Sequence, residues 1–299
     1  MIKNDLKRYS KSYVNIILFV AVIIIVAICF FSAGQSAEGI QRQLQIAKAE
    51  GATRDISKLQ EIVDGFSGIS YASRLFFNGE AASYIPLAYI ISFSVMFGSQ
   101  MFTNLHYGFG NMIVTREKYK KYVFSSFASQ SIYMAVIIAM VSAVITISPI
   151  LAKPPISGIP VQGTLGVGIQ SLAQFIGMVC AQVAIIILYV VPLVNLTTVT
   201  PLFVSNKYLN MSLPLAFFMI TYVLPNLLEV AGEKVQEIAQ YIHPVVYLGC
   251  IADYYVVSSE NYTVTDLLTK MAVLPIFIIL CLSIITYFNI KRYEKDYIK

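Results

Sequence analysis

Long apolar runs alternate with short polar stretches along the whole chain. A helix needs about 20 apolar residues to cross the hydrocarbon core of a bilayer. Runs near or above this length predict six membrane spans, at residues 13–33, 83–102, 123–147, 167–204, 211–228 and 271–290. The pattern therefore predicts an all-α polytopic membrane protein that forms one transmembrane domain over residues 1–299.

The fourth apolar run is too long for one straight helix across a bilayer. Pro192 and Pro201 lie within it, and a proline inside a helix removes a backbone hydrogen bond. We therefore expect one kinked or broken helix in this run rather than two additional spans.

The composition agrees with a lipid environment. Apolar residues make up 57% of the chain and charged residues only 12%, against about 25% charged residues in soluble domains. Basic residues concentrate before the first span, between the second and third spans, and after the sixth. Because positive loops stay in the cytoplasm, this distribution predicts a multi-pass protein of the cell membrane with both termini cytoplasmic. The net charge of +5 then reflects topology, and it predicts no nucleic-acid partner.

Two segments are expected on the outer side of the membrane. Residues 36–66 carry apolar positions at helical spacing on both sides of Gly51, which predicts an extracellular helical hairpin. This hairpin either lies on the membrane surface or contacts a partner. Between the fifth and sixth spans, Pro244 separates two short apolar stretches. That pattern predicts a helical hairpin in the outer leaflet, with His243 at its bend.

The predicted spans lack the side chains of catalysis. All 16 carboxylates fall outside them, the histidines and cysteines show no metal-binding spacing, and no G-x-x-x-x-G-K-[ST] motif occurs. We therefore expect no enzymatic activity, no metal and no bound cofactor in this chain. A proton-coupled carrier is disfavoured, because it needs ionisable groups at depth in the membrane.

The gap between the second and third spans reads YGFGNMIVTREKYKKYVFSSF, residues 107–127. Gly108 and Gly110 can turn the chain, and Asn111 can cap a helix that begins at Met112. Apolar and charged side chains form separate stripes, which predicts a short amphipathic helix over residues 112–123, parallel to the membrane on its cytoplasmic side. As an alternative, the basic residues only anchor the topology.

This layout resembles the six-span permease subunit of ABC-2 type exporters, the bacterial ATP-binding cassette systems. The stretch IVTREKYKKYVFSSF is similar to the coupling helix that, in this family, enters a cleft of a separate nucleotide-binding subunit. The stretch IAQYIHPVVYL is similar to the proline-containing hairpin between the fifth and sixth spans.

The resemblance implies a cytoplasmic ATPase partner that binds ATP and Mg²⁺, and either a homodimer or a heterodimer with a sister permease. The chain itself would then hold no catalytic residue. The residues implied at the ATPase interface are Met112, Thr115, Arg116, Glu117, Lys118, Tyr119, Lys120 and Lys121.

Uncharged polar residues in the fourth run are candidates for a substrate path. They are Gln170, Gln174, Asn195, Thr197 and Thr198. A path without fixed charge suits an amphipathic or hydrophobic substrate, such as a peptide, an antimicrobial, a lipid-like molecule or a drug. Alternatively, these side chains only hydrogen-bond between helices.

Two other functions stay open at this point. The chain could be a non-transporting scaffold, sensor or immunity protein that binds a ligand through the extracellular hairpin. It could also be a secondary carrier, whose transport would stop with an ionophore and survive depletion of ATP.

Overall fold

The computed structural model describes residues 2–50, 56, 60, 81–106, 119–152, 172–228, 232, 241–257 and 264–297. Within these ranges the chain is helical and contains no strand. The helices are α1 Ile2–Ser10, α2 Tyr13–Glu50, α3 Ala81–His106, α4 Tyr119–Ala152, α5 Leu172–Val199, α6 Lys207–Leu227, α7 Pro244–Val257 and α8 Val264–Tyr297. A short 3-10 helix, Thr200–Leu202, follows α5.

Five of the described helices are long and apolar enough to cross a membrane. The qualifying segments are Tyr84–His106, Tyr119–Leu151, Phe175–Leu202, Lys207–Pro225 and Leu267–Tyr293. The first apolar run contributes a shorter stretch, Tyr13–Ile24. The prediction of an all-α membrane protein is thus confirmed over the described residues, while the count of six spans stays a prediction.

The structure corrects several predicted boundaries. Helix α4 begins at Tyr119, so the last residues of the predicted amphipathic helix 112–123 belong to this long apolar helix. The cause is burial: Tyr119, Tyr122 and Val123 all pack inside the bundle, and the inward face of α4 therefore starts earlier than the apolar run. The rest of that predicted helix lies outside the described residues.

The break in the fourth run falls at one of its two prolines. Helix α5 continues through Pro192, whereas Pro201 lies in the 3-10 helix that ends this segment. Helix α6 then begins at Lys207, where the Asn206 side chain accepts hydrogen bonds from the backbone N–H groups of Tyr208 and Leu209. A side-chain acceptor at this position is a typical helix start.

The two predicted outer segments are described only in part. Helix α2 runs without interruption to Glu50, so the first arm of the predicted hairpin 36–66 continues the first apolar helix. The Lys48 ammonium donates a hydrogen bond of 3.1 Å to Gln60 Oε1. In the second outer segment, α7 begins at Pro244, as its position in the sequence predicts. The remaining parts of both hairpins lie outside the described residues.

Helix α5 is the centre of the bundle. It packs against α3, α4, α6, α7 and α8, and its second half is buried on almost every side, as at Ile185, Tyr189 and Leu193. A helix that is apolar all round is expected in such a position. The outer helices instead leave apolar side chains exposed, including Met140 on α4 and Ile220 on α6. These exposed faces are the surfaces that suit lipid.

Helix α7 packs deep in this bundle. The Tyr247 hydroxyl donates to the Ile185 carbonyl oxygen at 3.1 Å, and Gln182 Nε2 donates to the Leu248 carbonyl oxygen at 2.8 Å. The Tyr247 ring lies 5.7 Å from that of Tyr189, which in turn lies 6.4 Å from the ring of Phe218. We call this set, Gln182, Ile185, Tyr189, Phe218, Tyr247 and Leu248, the Tyr247 layer.

Candidate partner-binding face

The predicted ATPase-binding segment is described only where it joins the bundle. Helix α3 ends at His106 and α4 begins at Tyr119. Met112, Thr115, Arg116, Glu117 and Lys118 lie outside the described residues, so their assignment stays a prediction. The side chains of Lys120 and Lys121 are exposed, whereas Tyr119 is only 3% exposed. Tyr119 therefore faces the bundle, and the two lysines remain at its surface.

Tyr119 joins the start of α4 to two other helices. Its ring stacks on Tyr293 of α8, with centroids 3.9 Å apart and planes 11° from parallel. Its hydroxyl donates a hydrogen bond of 2.7 Å to Asn289 Oδ1, also on α8. The Asn289 amide in turn donates to the carbonyl oxygen of Val199, at the end of α5. Helices α4, α5 and α8 are thus tied at one point.

Tyr122, one turn later, connects α4 to α3. Its hydroxyl lies 3.4 Å from Met101 Sδ, and Asn104 Nδ2 donates to the same hydroxyl at 3.3 Å. The last turns of α3 and the first turns of α4 are therefore joined directly. As a result, the helix ends on either side of residues 107–118 are joined to each other within the bundle.

Asn210 joins three further elements at the same end of the bundle. Its Nδ2 donates to the carbonyl oxygens of Gly98 and Thr197, at 3.1 Å each, and its Oδ1 accepts from the Thr200 hydroxyl at 2.6 Å. Helix α3 approaches closely here, because a Cβ on Gly98 would lie 3.1 Å from Met211 Cγ and 3.3 Å from Met211 Cα. We call the set Gly98, Tyr119, Val199, Thr200, Asn210 and Asn289 the Tyr119 layer.

The Tyr119 end of the bundle is rich in positive charge. Cationic side chains described there are Lys7, Arg8, Lys11, Lys120, Lys121, Lys207, Lys291 and Arg292. With the Gln100 amide turned so that its oxygen faces α1, that oxygen accepts from Arg8 Nη1 at 2.9 Å. Burial raises the pKa of the Asp5 carboxyl, while the chain N-terminus and Arg8 oppose the shift. A surface of this charge favours acidic partners.

Helix α1 lies against this end of the bundle through an aromatic contact. Tyr9 meets Phe97 of α3 edge-on, with ring centroids 4.9 Å apart. The Tyr133 hydroxyl of α4 donates to Asn15 Oδ1 at 2.8 Å and lies 3.2 Å from the Tyr9 carbonyl oxygen. The N-terminal residues are therefore part of the packed structure.

The described candidates for the substrate path hydrogen-bond within this chain. Asn195 Nδ2 donates to Ser131 Oγ at 3.0 Å, and the Thr198 hydroxyl donates to Gln130 Oε1 at 2.7 Å. The Thr197 hydroxyl donates to the Val194 carbonyl oxygen of its own helix at 2.8 Å. All three candidates are buried. Asn195 and Thr198 thus join α5 to α4, and a role along a substrate path stays a prediction.

The two glutamine candidates lie outside the described geometry. Gln174 lies in α5, but its side chain is outside the described part of the chain, as is all of Gln170.

The sequence reasoning named Tyr119 but missed Gly98, Asn210 and Asn289, which complete the Tyr119 layer. Asn210 and Asn289 are each completely buried; Asn289 lies inside the sixth apolar run, and Asn210 lies one position before the fifth. A polar residue in such a run is a usable signal, because its amide must find partners within the membrane protein. The close packing at Gly98 could not be predicted from the residues around it, because its neighbour Met211 is distant in sequence.

His243 caps the start of α7. Its Nδ1 accepts from the Val245 N–H at 3.2 Å, at the start of α7, and its ring lies 5.0 Å from that of Tyr222. Burial lowers the pKa of His243, and a hydrogen bond with the Tyr222 backbone opposes that shift. No group of three or more His, Cys, Asp or Glu that could hold a metal occurs among the described residues.

Comparisons with protein-family models, with curated proteins and with solved structures gave no match to this chain. The resemblance to ABC-2 permeases therefore rests on the span layout and the two stretches quoted above.

Proposed function

We propose that this chain is the permease subunit of an ATP-binding cassette exporter. It moves an amphipathic or hydrophobic substrate out of the cell, and a separate cytoplasmic subunit hydrolyses the ATP. The chain works as a homodimer or with a sister permease, and the Mg²⁺ and ATP are bound by the ATPase. The positive charge at the Tyr119 end supports a cytoplasmic location for that end, by the positive-inside rule.

The observation that carries this proposal is the anchoring of Tyr119. A segment that receives force from an ATPase must be connected to the helices that it moves. Residues 107–118 lead directly into Tyr119, which contacts α8 and, through Asn289, the end of α5. A displacement of this segment would therefore reach α4, α5 and α8 together.

The apolar character of the helices supports a substrate without large fixed charge. The described candidates for the path, Asn195, Thr197 and Thr198, carry no charge, and the outer faces of α4, α6 and α8 are apolar. A conformational change that separates α4 from α5 would expose Asn195 and Thr198 along the opening. Such polar groups suit a substrate with both apolar and hydrogen-bonding parts.

Co-purification from native membranes tests the proposal. Wild type is compared with a variant that carries Arg116→Glu, Lys118→Glu, Lys120→Glu and Lys121→Glu. The matched control carries Lys3→Glu, Lys7→Glu, Lys11→Glu and Lys207→Glu, which changes the net charge by the same amount in helices at the Tyr119 end of the bundle. Proteins captured in mild detergent are identified by mass spectrometry and assayed for ATPase activity.

We expect a P-loop ATPase to accompany wild type and the control, and to be lost from the first variant. Charge complementarity selects partners in this way. If no ATPase accompanies wild type, the proposal is wrong, and the scaffold or carrier functions take its place. If both variants lose the ATPase equally, the specific role of residues 116–121 is wrong.

A further inference from the structure

The side chain of Tyr9 lies across the junction of α3 and α4 at the Tyr119 end of the bundle. Its ring meets that of Phe97 on α3, with centroids 4.9 Å apart, and that of Tyr133 on α4, at 5.6 Å. The Phe97 and Tyr133 rings lie 6.3 Å from each other. Tyr9 is only 4% exposed, so one side chain of the N-terminal helix is packed against two long apolar helices at once.

Buried polar side chains lie directly behind Tyr9. The Tyr9 hydroxyl interacts with the side chains of Ser129 and Gln130 on α4. Gln130 Oε1 in turn accepts a hydrogen bond of 2.7 Å from the Thr198 hydroxyl of α5. Ser129, Gln130 and Thr198 are all buried. Helix α1 therefore covers a polar contact between α4 and α5.

This polar contact is only partly satisfied by hydrogen bonds within the chain. Asn195 Nδ2 donates to Ser131 Oγ at 3.0 Å, but Asn195 Oδ1 is buried without a hydrogen-bond partner in the described part of the chain. A buried acceptor without a donor costs free energy, and the entry of water or of a ligand with a donor group would remove that cost. We call the set Ser129, Gln130, Ser131, Asn195 and Thr198 the Gln130 cluster.

The attachment of α1 depends on few side chains. Among the described side chains of this helix only that of Tyr9 is buried, and Arg8 adds a contact with Gln100. The Tyr9 carbonyl oxygen accepts from Asn15 Nδ2 at 2.9 Å and from the Tyr133 hydroxyl at 3.2 Å. Because Asn15 belongs to the first turn of α2, Tyr9 is tied to α2 and should move with it.

We propose that Tyr9 is a removable plug that closes an entrance between α3 and α4 to the Gln130 cluster. A displacement of α1 and α2 together withdraws the ring from Phe97 and Tyr133 and opens the cluster at the Tyr119 end. A role of this entrance in substrate transfer rests on the proposed transport function, since Asn195 and Thr198 are candidates for the substrate path. The plug itself does not depend on that function.

Thiol labelling of the full chain in detergent, without any ATPase, tests this proposal. The four native cysteines are replaced by alanine, and Ser129→Cys places a thiol of similar size in the Gln130 cluster. Ser142→Cys is the matched control. Ser142 is also buried on α4, but it lies roughly 20 Å along the helix from Ser129, at about 1.5 Å per residue. A charged, water-soluble methanethiosulfonate reagent measures how fast each thiol becomes accessible.

Three substitutions are compared in both reporter backgrounds. Tyr9→Ala removes the plug. Asn15→Ala keeps the tyrosine but removes the side chain that ties the Tyr9 backbone to α2. Lys7→Ala changes an exposed residue of α1 and serves as the control substitution.

We expect Tyr9→Ala to raise the labelling rate of Ser129→Cys roughly tenfold or more, because truncation of a buried aromatic side chain strongly favours the open arrangement. Asn15→Ala should raise this rate about fivefold, the population shift that corresponds to one lost hydrogen bond. Lys7→Ala should leave the rate unchanged. Ser142→Cys should react at the same rate in all variants.

The proposal is overturned if Asn15→Ala leaves the labelling of Ser129→Cys unchanged, because Tyr9 would then be a permanent anchor whose removal only creates a cavity. It is also overturned if Tyr9→Ala has no effect, or if the labelling of Ser142→Cys rises equally. If Tyr9→Ala does not elute as a single folded species, Asn15→Ala decides alone. The co-purification of an ATPase is measured separately, so the plug and the transport function can fail independently.

Discussion

The Tyr119 layer and the Tyr247 layer hold the same central helix in different ways. In the Tyr119 layer, side-chain amides and hydroxyls join α3, α4, α5, α6 and α8. In the Tyr247 layer, the hydrogen bonds run between α5 and α7, and α6 contributes through aromatic contact. The two contacts are well separated, because Ile185 lies roughly 21 Å along α5 from Val199, at about 1.5 Å per residue.

This difference has a mechanical meaning in a bilayer. Lipid provides no hydrophobic drive for helices to associate, so close packing and directional hydrogen bonds determine which helices move together. The helices of the Tyr119 layer should move as one body. The Tyr247 layer relies more on apolar contact and can separate at lower cost. A force applied at residues 107–118 would then move the Tyr119 layer as a unit and open the bundle elsewhere.

The largest expected effect comes from a larger side chain at Gly98, where α3 packs closely against Met211 of α6 and Thr197 of α5. A Gly98→Val side chain would collide with the Met211 backbone and with Thr197 Cβ, which lies 3.3 Å from the position of a Cβ at residue 98. We expect a loss of about 3 kcal/mol in unfolding free energy, the upper range for overpacked sites. Chemical denaturation of the detergent-solubilised protein measures this loss.

Gly249 offers the matched control in the other region. A Cβ at Gly249 of α7 meets nothing within 4 Å, so Gly249→Ala should leave stability unchanged or raise it slightly. Equal losses for the two variants would contradict the assignment of tight packing to the Tyr119 layer.

The second prediction compares the loss of unfolding free energy when a buried side-chain amide is removed from each layer. Asn210→Leu removes three hydrogen bonds among α3, α5 and α6, and we expect a loss of about 2 kcal/mol. Gln182→Leu removes one bond to α7. Its Oε1 is buried without a hydrogen-bond partner in the described structure, so this change should cost less than about 1 kcal/mol. Chemical denaturation of both variants in the same detergent measures the difference, and a larger loss for Gln182→Leu would reverse the comparison.

A third, smaller effect compares two hydroxyl deletions. Tyr119→Phe keeps the stack on Tyr293 but leaves Asn289 Oδ1 without its donor. Tyr247→Phe removes a donor from the Ile185 carbonyl oxygen, which still accepts within its own helix. We expect about 1 kcal/mol for Tyr119→Phe and roughly half of that for Tyr247→Phe. Thermal midpoints of the two variants should show this order. Identical midpoints would mean that the two hydroxyls contribute equally, and a Tyr119→Phe midpoint equal to that of wild type would mean that the Tyr119 hydroxyl is dispensable.

The smallest effect is the pH dependence from His243, at the margin of the Tyr247 layer. Because burial lowers the pKa of His243 from 6.5, the unfolded chain takes up the proton more readily than the folded chain. Stability from this group is therefore present above pH 6.5 and is lost as the pH falls through the lowered pKa. Protonation of Nδ1 would also remove the acceptor for the Val245 N–H.

The variant His243→Asn tests this assignment. Asparagine keeps a side-chain acceptor at the helix start but does not titrate in this range. Thermal midpoints from pH 7.5 to 5.5 should fall more for wild type than for the variant. Parallel curves would assign the pH dependence to other groups.

The apolar runs predicted the helices well, because exclusion of water from a bilayer core imposes a length and a composition on every crossing helix. The apolar runs predicted the ends of these helices poorly. Helix α4 starts at Tyr119, four positions before the predicted span, since a buried tyrosine can extend a helix beyond its apolar run. Likewise, α5 continues through Pro192, and the fourth run ends in the 3-10 helix that contains Pro201.

The sequence by itself determined that this chain is an all-α membrane protein, since composition and the length of apolar runs depend on the solvent and not on packing. The sequence also predicted that its basic segments lie on one side of the membrane. Only the tertiary structure decided which polar residues meet. Asn210 and Gly98 are 112 positions apart, and Tyr119 and Asn289 are 170 positions apart. Such pairs depend on how the helices are arranged around α5, and the local sequence does not specify that arrangement.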